Sequence, residues 1–367
     1  MRIPRRLSRQ SGRHALVDGI PYRMPVDSRN SSAIVAAFPI NAEKAKKLLP
    51  GNELHPVRVF GKGVLLLTVV DYQSTDIGRY VEYITAIACT RGPKPAPGLL
   101  PFLFRRFFGF GTYVYDMPVS TEISVKGGKG IWGTPKVQAN LDFHVTEDTI
   151  TSQYDLDGML AMRVEMRRPD SVWLPVNLSA SAYSQFRGML MKAYSYVGGR
   201  AGFSVLNRQA CRLYIGDHPR VRRLKELEIG ARPFFTAFLP DASGVLDDHI
   251  ECWFLSHDEP PSTHPEGLES VVNLGLSQEW LDPPTAPYRE RPRFGNDHYP
   301  RVEEAAAYVF SRGSASGERH SGHDLGRCAG RGKRETEIRQ ARGRGRQRGA
   351  YYRAGCLCVG VVGVVPT

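Results

Sequence analysis

From Ala33 to Phe254 the sequence is a succession of β-branched and aromatic runs, each closed by turn-forming residues, and no other feature constrains the fold as strongly. Ala33–Pro39, Gly63–Tyr72 and Tyr80–Cys89 read as strands. Leu141–Thr146, Thr149–Leu156 and Leu160–Met166 read as a meander. Its Glu147-Asp148 and Asp157-Gly158 connections suit two-residue hairpin turns, and the second carries the stronger signal. Phe234–Leu239 and Ile250–Leu255 add two strands. Two stretches carry helical periodicity instead. Asn41–Pro50 predicts a short helix, with Asn41 as N-cap, Ala45, Leu48 and Leu49 on one face, and Pro50 as the stop. Ser179–Val197 predicts a longer one, because Tyr183, Phe186, Leu190 and Tyr194 recur at three- and four-residue steps before Gly198-Gly199. The fold class is therefore α+β, rich in β-structure, with no internal repeat.

The formal net charge of +12 is unevenly placed. Residues 1–13 carry five Arg and no acid, and residues 312–353 carry twelve Lys/Arg against four acids. The rest of the chain is close to neutral, so no basic face for a specific nucleic acid is expected on it. Three segments follow: residues 1–18 as a basic disordered N-terminal extension, 19–310 as one domain, and 311–367 as an Arg/Gly-rich disordered tail. The tail, with its Arg342-Gly343-Arg344-Gly345-Arg346 run, reads in three ways: out-of-frame translation of a GC-rich gene, a solvated disordered segment, or a non-specific RNA binder through phosphate contacts. Six cysteines form no C-x-x-C pair, and no histidine cluster completes a zinc set around Cys356 and Cys358. Residues 1–13 lack the apolar core of a secretory signal, and no window approaches 18 uninterrupted apolar residues. A cytoplasmic protein with reduced thiols, no metal and no membrane partner is the expectation.

Common catalytic fingerprints are missing. Gly128 to Gly133 has P-loop spacing, but Thr134-Pro135 stands where Lys-Ser/Thr is needed, and neither G-x-S-x-G nor H-E-x-x-H occurs. What stands out is Gly127-Gly128-Lys129-Gly130-Ile131-Trp132-Gly133-Thr134-Pro135-Lys136. Pro135 and Gly133 define a rigid turn that aims Lys136 at one place. Trp132 and Val137 are expected to desolvate its amine, and desolvation favours the neutral, nucleophilic form. The plain alternative is a surface lysine at a strand start, its stem lying on Trp132. In Tyr80–Cys89, one strand face carries Tyr80, Glu82, Ile84, Ala86 and Ala88. A carboxylate there must reach water or find a partner, either as a strand-end glutamate in solvent or as a working group.

The Gly-x-x-Ile-Trp-Gly-x-Pro-Lys pattern resembles the signature of the acetoacetate decarboxylase family, in which the lysine after the proline forms the Schiff base. Pro21-Tyr22, Ala42–Pro50, Asp76–Glu82, Gly230–Leu239 and Leu246–Cys252 resemble further pieces of that family in the right order, so the likeness spans roughly residues 20–257. It departs in several places. Val137 follows Lys136 where the founding decarboxylase has a second lysine, so desolvation is the remaining route to activation unless Lys129 or Arg79 folds close. Lys129 replaces the arginine, and Gly130 the glutamate, of the family's Gly-Arg-Glu. No acid lies within Val64–Val70.

The resemblance implies a β-cone or barrel with flanking helices, an acetoacetate decarboxylase-like domain over residues 19–310, and Lys136 opening into its interior. It implies Lys136 and Glu82 as catalytic residues, with Arg29, Tyr80 and Trp132 binding substrate. The expected reaction is decarboxylation of a β-keto acid through a lysine Schiff base, with no organic cofactor. A Schiff-base aldolase or dehydratase and a non-catalytic small-molecule-binding barrel are the alternatives. A small keto acid and further copies of the chain, as a homo-oligomer, are the expected partners. Gly98–Phe110 reads as a lid, an oligomer contact or core.

Overall fold

Seven strands close into a barrel in this computed structural model, which describes residues 3–9, 12–169, 173–186, 188–247, 251–258 and 275–284. The strands are β1 (Val26–Ile40), β2 (Gly63–Tyr72), β3 (Tyr80–Arg91), β4 (Gly111–Val119), β5 (Trp173–Phe186), β6 (Met189–Val205) and β7 (Phe235–Leu246). They pair in chain order all the way round, and β7 returns to β1. One pairing, β4 with β5, is parallel. An odd number of strands cannot alternate direction around a closed ring, so one parallel pair is obligatory. A parallel pair cannot be joined by a hairpin and needs a long crossover. That crossover, residues 120–172, carries Lys136.

The crossover starts with the helix Glu122–Trp132. Lys136–Gln138 then runs parallel to the end of β4, Met117 opposite Lys136, just past the point where β5 leaves β4. Next comes a five-stranded sheet containing Thr149–Leu156, Met159–Arg167 and Cys211–Ile215. Asp157 and Gly158 both have positive φ in its central hairpin, as the Asp-Gly signal requires. This sheet packs on the outer face of the barrel: Ile34, Phe38, Leu67 and Tyr83 from β1–β3 share one core with Ile150, Tyr154, Met162 and Met166. Asn41 caps the short helix Ala42–Lys46 by accepting from the amides of Glu43 and Lys44, as expected. The β-rich α+β barrel with flanking helices is the architecture expected from the sequence.

Two local expectations are corrected. Ser179–Val197 is not a helix but the hairpin of β5 and β6, with Phe186 opposite Met189. Ala180, Ala182 and Ser184 face the barrel interior while Tyr183 packs outward, so the period is two. Small interior residues carry little strand propensity, and their pairing with distant strands decides the outcome. Gly198-Gly199 lies inside β6, beside a register shift against β7. Residues 1–18 are likewise not a disordered extension throughout: Arg13–Val17 pairs with Ile20–Met24, and Leu7 and Val17 are buried. Asp18-Gly19, both at positive φ, is a hairpin signal as plain as Asp157-Gly158. Residues 311–367, and the boundary placed at 310, lie outside the described residues. Among the described residues, no helix is long and apolar enough to cross a membrane.

Candidate active site

Alternation along the barrel strands puts Tyr80, Glu82, Ile84, Ala86 and Ala88 of β3 on the interior face, the face expected from the sequence. A barrel of this size holds either packed side chains or one small ligand. Here alanines and serines on β3, β5 and β6 leave the middle unfilled, and a cavity of about 380 Å³ remains.

Lys136 reaches one end of that cavity through the local structure of the crossover. Gly133 ends the Glu122–Trp132 helix at φ +61, a conformation that favours glycine. The amides of Gly133 and Thr134 return to the carbonyls of Lys129 and Gly128, at 3.1 and 3.2 Å. Pro135 prevents the helix from continuing, and Lys136 opens the next strand. Its stem then lies against the helix at Gly128, where an added Cβ would sit 2.4 Å from Lys136 Cδ. The expected tight turn is therefore the C-cap of a helix, and Gly127, Gly128 and Gly130 belong to that helix rather than to a loop.

Lys136 Nζ stands 2.7 Å from Glu82 Oε2 and donates to Ser124 Oγ at 2.9 Å. Lys136 is 8 % and Glu82 6 % exposed, so this is a buried pair. Tyr80 lies under the amine, its ring centroid 5.5 Å from Nζ. Tyr72 stacks on Tyr80 at 4.6 Å and donates its hydroxyl to Glu82 Oε1 at 3.4 Å. Burial, reinforced by the Glu82 charge, pushes both phenols well above the ordinary tyrosine value, so both remain O–H donors. Trp132 lines the cavity, its Nε1 donating to Asp247 O at 3.3 Å. Thr134 also lines it, and its buried Oγ1 has no hydrogen-bond partner among the described residues.

Four of the five anticipated residues, Lys136, Glu82, Tyr80 and Trp132, thus meet at one end of the barrel. Arg29 does not. It is exposed and pairs with Asp27 at 3.0 Å, because Asn30 at positive φ breaks the alternation and leaves Ser28 and Ser31 as the lining residues. Val137 faces the outer core, away from the amine. Neither Arg79 nor Lys129 lines the cavity, and Arg79 instead pairs with Asp71 at 3.3 Å. The charged neighbour of the amine is thus a carboxylate, Glu82, and not a second cation. Ser124, Tyr72 and Thr134 were not anticipated. For Tyr72 the signal was available, since it sits directly across the β2–β3 pair from Tyr80. Phe102 and Phe110 from the Gly98–Phe110 segment close the far end, while Leu103, Phe104 and Phe107 are exposed. Among the described residues, no three His, Cys, Asp or Glu side chains gather to hold a metal ion.

Fold and site together define a closed β-barrel with a buried lysine–carboxylate pair facing an apolar cavity. The sequence profile described as acetoacetate decarboxylase (ADC) matches residues 6–189. The chain belongs to the acetoacetate decarboxylase family. Among solved structures, an acetoacetate decarboxylase shares 14 % identity, covering 64 % of this chain and 91 % of its own, at a TM-score of 0.48. The acetoacetate decarboxylase of Legionella pneumophila shares 13 %, covering 62 % of this chain and 87 % of its own, at 0.47. An acetoacetate decarboxylase-like enzyme from Sphingomonas wittichii RW1 shares 13 %, covering 67 % of this chain and 99 % of its own, at 0.46. No protein of curated function matches the chain.

Proposed function

We propose that the chain is a carbon–carbon lyase that decarboxylates a 3-oxo acid through a Schiff base on Lys136. The observation that carries this reading is the 2.7 Å contact between Lys136 Nζ and Glu82 Oε2 at the end of the apolar cavity inside the barrel. An ammonium cannot attack a carbonyl, and a carboxylate at hydrogen-bond distance in a site of low polarity is placed to take its proton. The neutral amine adds to the ketone carbon to give a carbinolamine. Glu82, now protonated, returns its proton to the departing hydroxyl, and water leaves an iminium beside the regenerated carboxylate. The carbon–carboxylate bond then breaks, its electron pair collapsing into the iminium to give an enamine and carbon dioxide. Protonation at carbon and hydrolysis release the ketone and restore the amine. Tyr72 holds its O–H donor against the carboxylate and Tyr80 its ring beneath the amine, where each orients the pair.

Borohydride reduction tests this. Incubating the protein with 3-oxo acids and borohydride, followed by peptide mass analysis, is expected to find Lys136 alone alkylated, and carbon dioxide release is expected to accompany turnover. Lys136→Arg, which keeps the charge but cannot form the imine, is expected to abolish both. Labelling spread over several lysines, or none at Lys136, overturns the reading in favour of a binding barrel. Trapping without carbon dioxide favours an aldolase or dehydratase.

A further inference from the structure

We infer that the substrate carries a linear apolar chain, a medium-chain 3-oxo acid rather than a four-carbon one, threaded along the barrel away from Lys136; this rests on the Schiff-base reading above. The cavity volume, about 380 Å³, lies in the range of roughly 300–1,000 Å³ that buries drug-sized ligands. A four-carbon keto acid fills only a fraction of it. The shape follows from the strand register. Glu82 and Ala88 both face the interior of β3, six residues or about 20 Å apart along the strand. Ile84 and Ala86 line the path between them, with Ala182 on the facing part of the wall, and Phe102 and Phe110 stand at its far end.

The polar groups are placed accordingly. Of the charged side chains lining the cavity, Lys136 and Glu82 hold one end, and Arg23 and Asp76 form a 3.7 Å pair near it. Arg105 lies at the opposite end, turned onto the Phe110 ring at 5.2 Å and donating to Ser179 O at 3.0 Å. Between the two ends no charged side chain among the described residues lines the cavity. A run of this length, mostly apolar and carrying only a few hydroxyls, is left largely unused by a short polar acid, but it desolvates a methylene chain along its whole length. The carboxylate and ketone then stay with Lys136 and Glu82, and the tail lies towards Phe102.

Binding and trapping measured together test this. Straight-chain carboxylic acids of four to twelve carbons are titrated calorimetrically against the full chain, and 3-oxo acids of the same lengths are trapped with borohydride. Affinity is expected to rise roughly fourfold per added methylene until the tail meets the Phe102–Phe110 end, and trapping at Lys136 is expected to follow the same order. Ala86→Phe and Ala182→Phe, on different strands, each obstruct the run, and either folded variant is expected to lower the ratio of long-chain to short-chain affinity more than tenfold. Affinity flat across the series in the unmodified protein overturns the inference, and with acetoacetate still trapped at Lys136 the Schiff-base reading survives. Affinity that rises with length while no acid is trapped has the opposite meaning: the apolar run stands and the Schiff base falls.

Discussion

Arg220 donates from Nη2 to the carbonyl oxygen of Pro135, the residue immediately before Lys136, at 2.6 Å. Its Nε donates to Asp116 Oδ1, and Tyr154 donates to the other oxygen of that buried carboxylate at 2.8 Å. A guanidinium anchored on a β4 carboxylate therefore holds the peptide from which the Lys136 side chain departs. Arg220 touches no cavity residue's reacting atom, so it is a positioning residue. Arg220→Lys keeps a cation for Asp116 but loses the two-directional fork. It is expected to lower kcat by about tenfold to a hundredfold with KM little changed, and to slow borohydride trapping in parallel. An equal change in KM alone, with trapping at its normal rate, removes Arg220 from this role.

Glu82→Gln preserves the shape of the site and removes the group that accepts the amine's proton. Turnover is expected to fall on the order of a hundredfold or more, and borohydride trapping at Lys136 to slow in parallel, because imine formation itself needs the proton taken from the ammonium and returned to the departing hydroxyl. Steady-state kinetics beside trapping on the same preparation check this. Unchanged turnover excludes Glu82 from proton transfer.

Thr134 Oγ1 is buried and unpartnered at the cavity wall, a position in which a polar atom is destabilising unless something hydrogen-bonds to it. A bound keto acid supplies an acceptor. Thr134→Val, which removes the hydroxyl at nearly constant volume, is expected to raise KM by roughly tenfold, the equivalent of about 1.4 kcal/mol, and to leave Tm unchanged or slightly higher. A drop in Tm with unchanged KM shows that the hydroxyl serves the fold.

Lys192 lies outside the barrel, buried between Tyr183 and Tyr194, with its Nζ 5.5 and 5.1 Å from the two ring centroids. Desolvation holds its amine below the ordinary lysine value, against the opposing charge of Glu251. Between that lowered value and the unfolded value near 10.4, the native chain binds fewer protons than the unfolded chain, so this group makes stability rise with pH. Lys192→Met removes the contribution. The Tm difference between the unmodified protein and the variant is expected to shift in favour of the unmodified protein from about pH 8 to about pH 10; a constant difference refutes it.

The parts of the site legible in the sequence are those that depend on one element at a time. Glu82 and Tyr80 share a face of a single strand, and Lys136 follows a Gly-x-Pro that stops a helix. Ser124 reaches the same amine only because the crossover demanded by the parallel β4–β5 pair folds back over the end of the barrel, and no local pattern carries that information. Ser179–Val197 spaces its large residues as a helix does yet pairs as two strands, because the alanines and serines that leave the barrel hollow carry little preference of their own and the neighbouring strands decide. Arg29 failed for the opposite reason: one residue at positive φ, Asn30, turns the side chain to the other face. The glycine hairpin signal at Asp18-Gly19 was present but lay in a segment dominated by its charge.

Gly128 bears no functional group, yet it governs the freedom of the amine that the proposed reaction uses. A free lysine side chain carries about 2 kcal/mol of rotamer entropy. Here the stem drops into the notch left by the missing side chain, and the contact distances at Cδ and Cε, 2.4 and 2.7 Å from where a Cβ would lie, leave it few other paths. Most of its disorder is thus lost during folding, long before a ligand arrives. In the proposed reaction, forming a carbon–nitrogen bond immobilises a chain that is already still, and the collision between amine and carbonyl is constrained on one side before it begins.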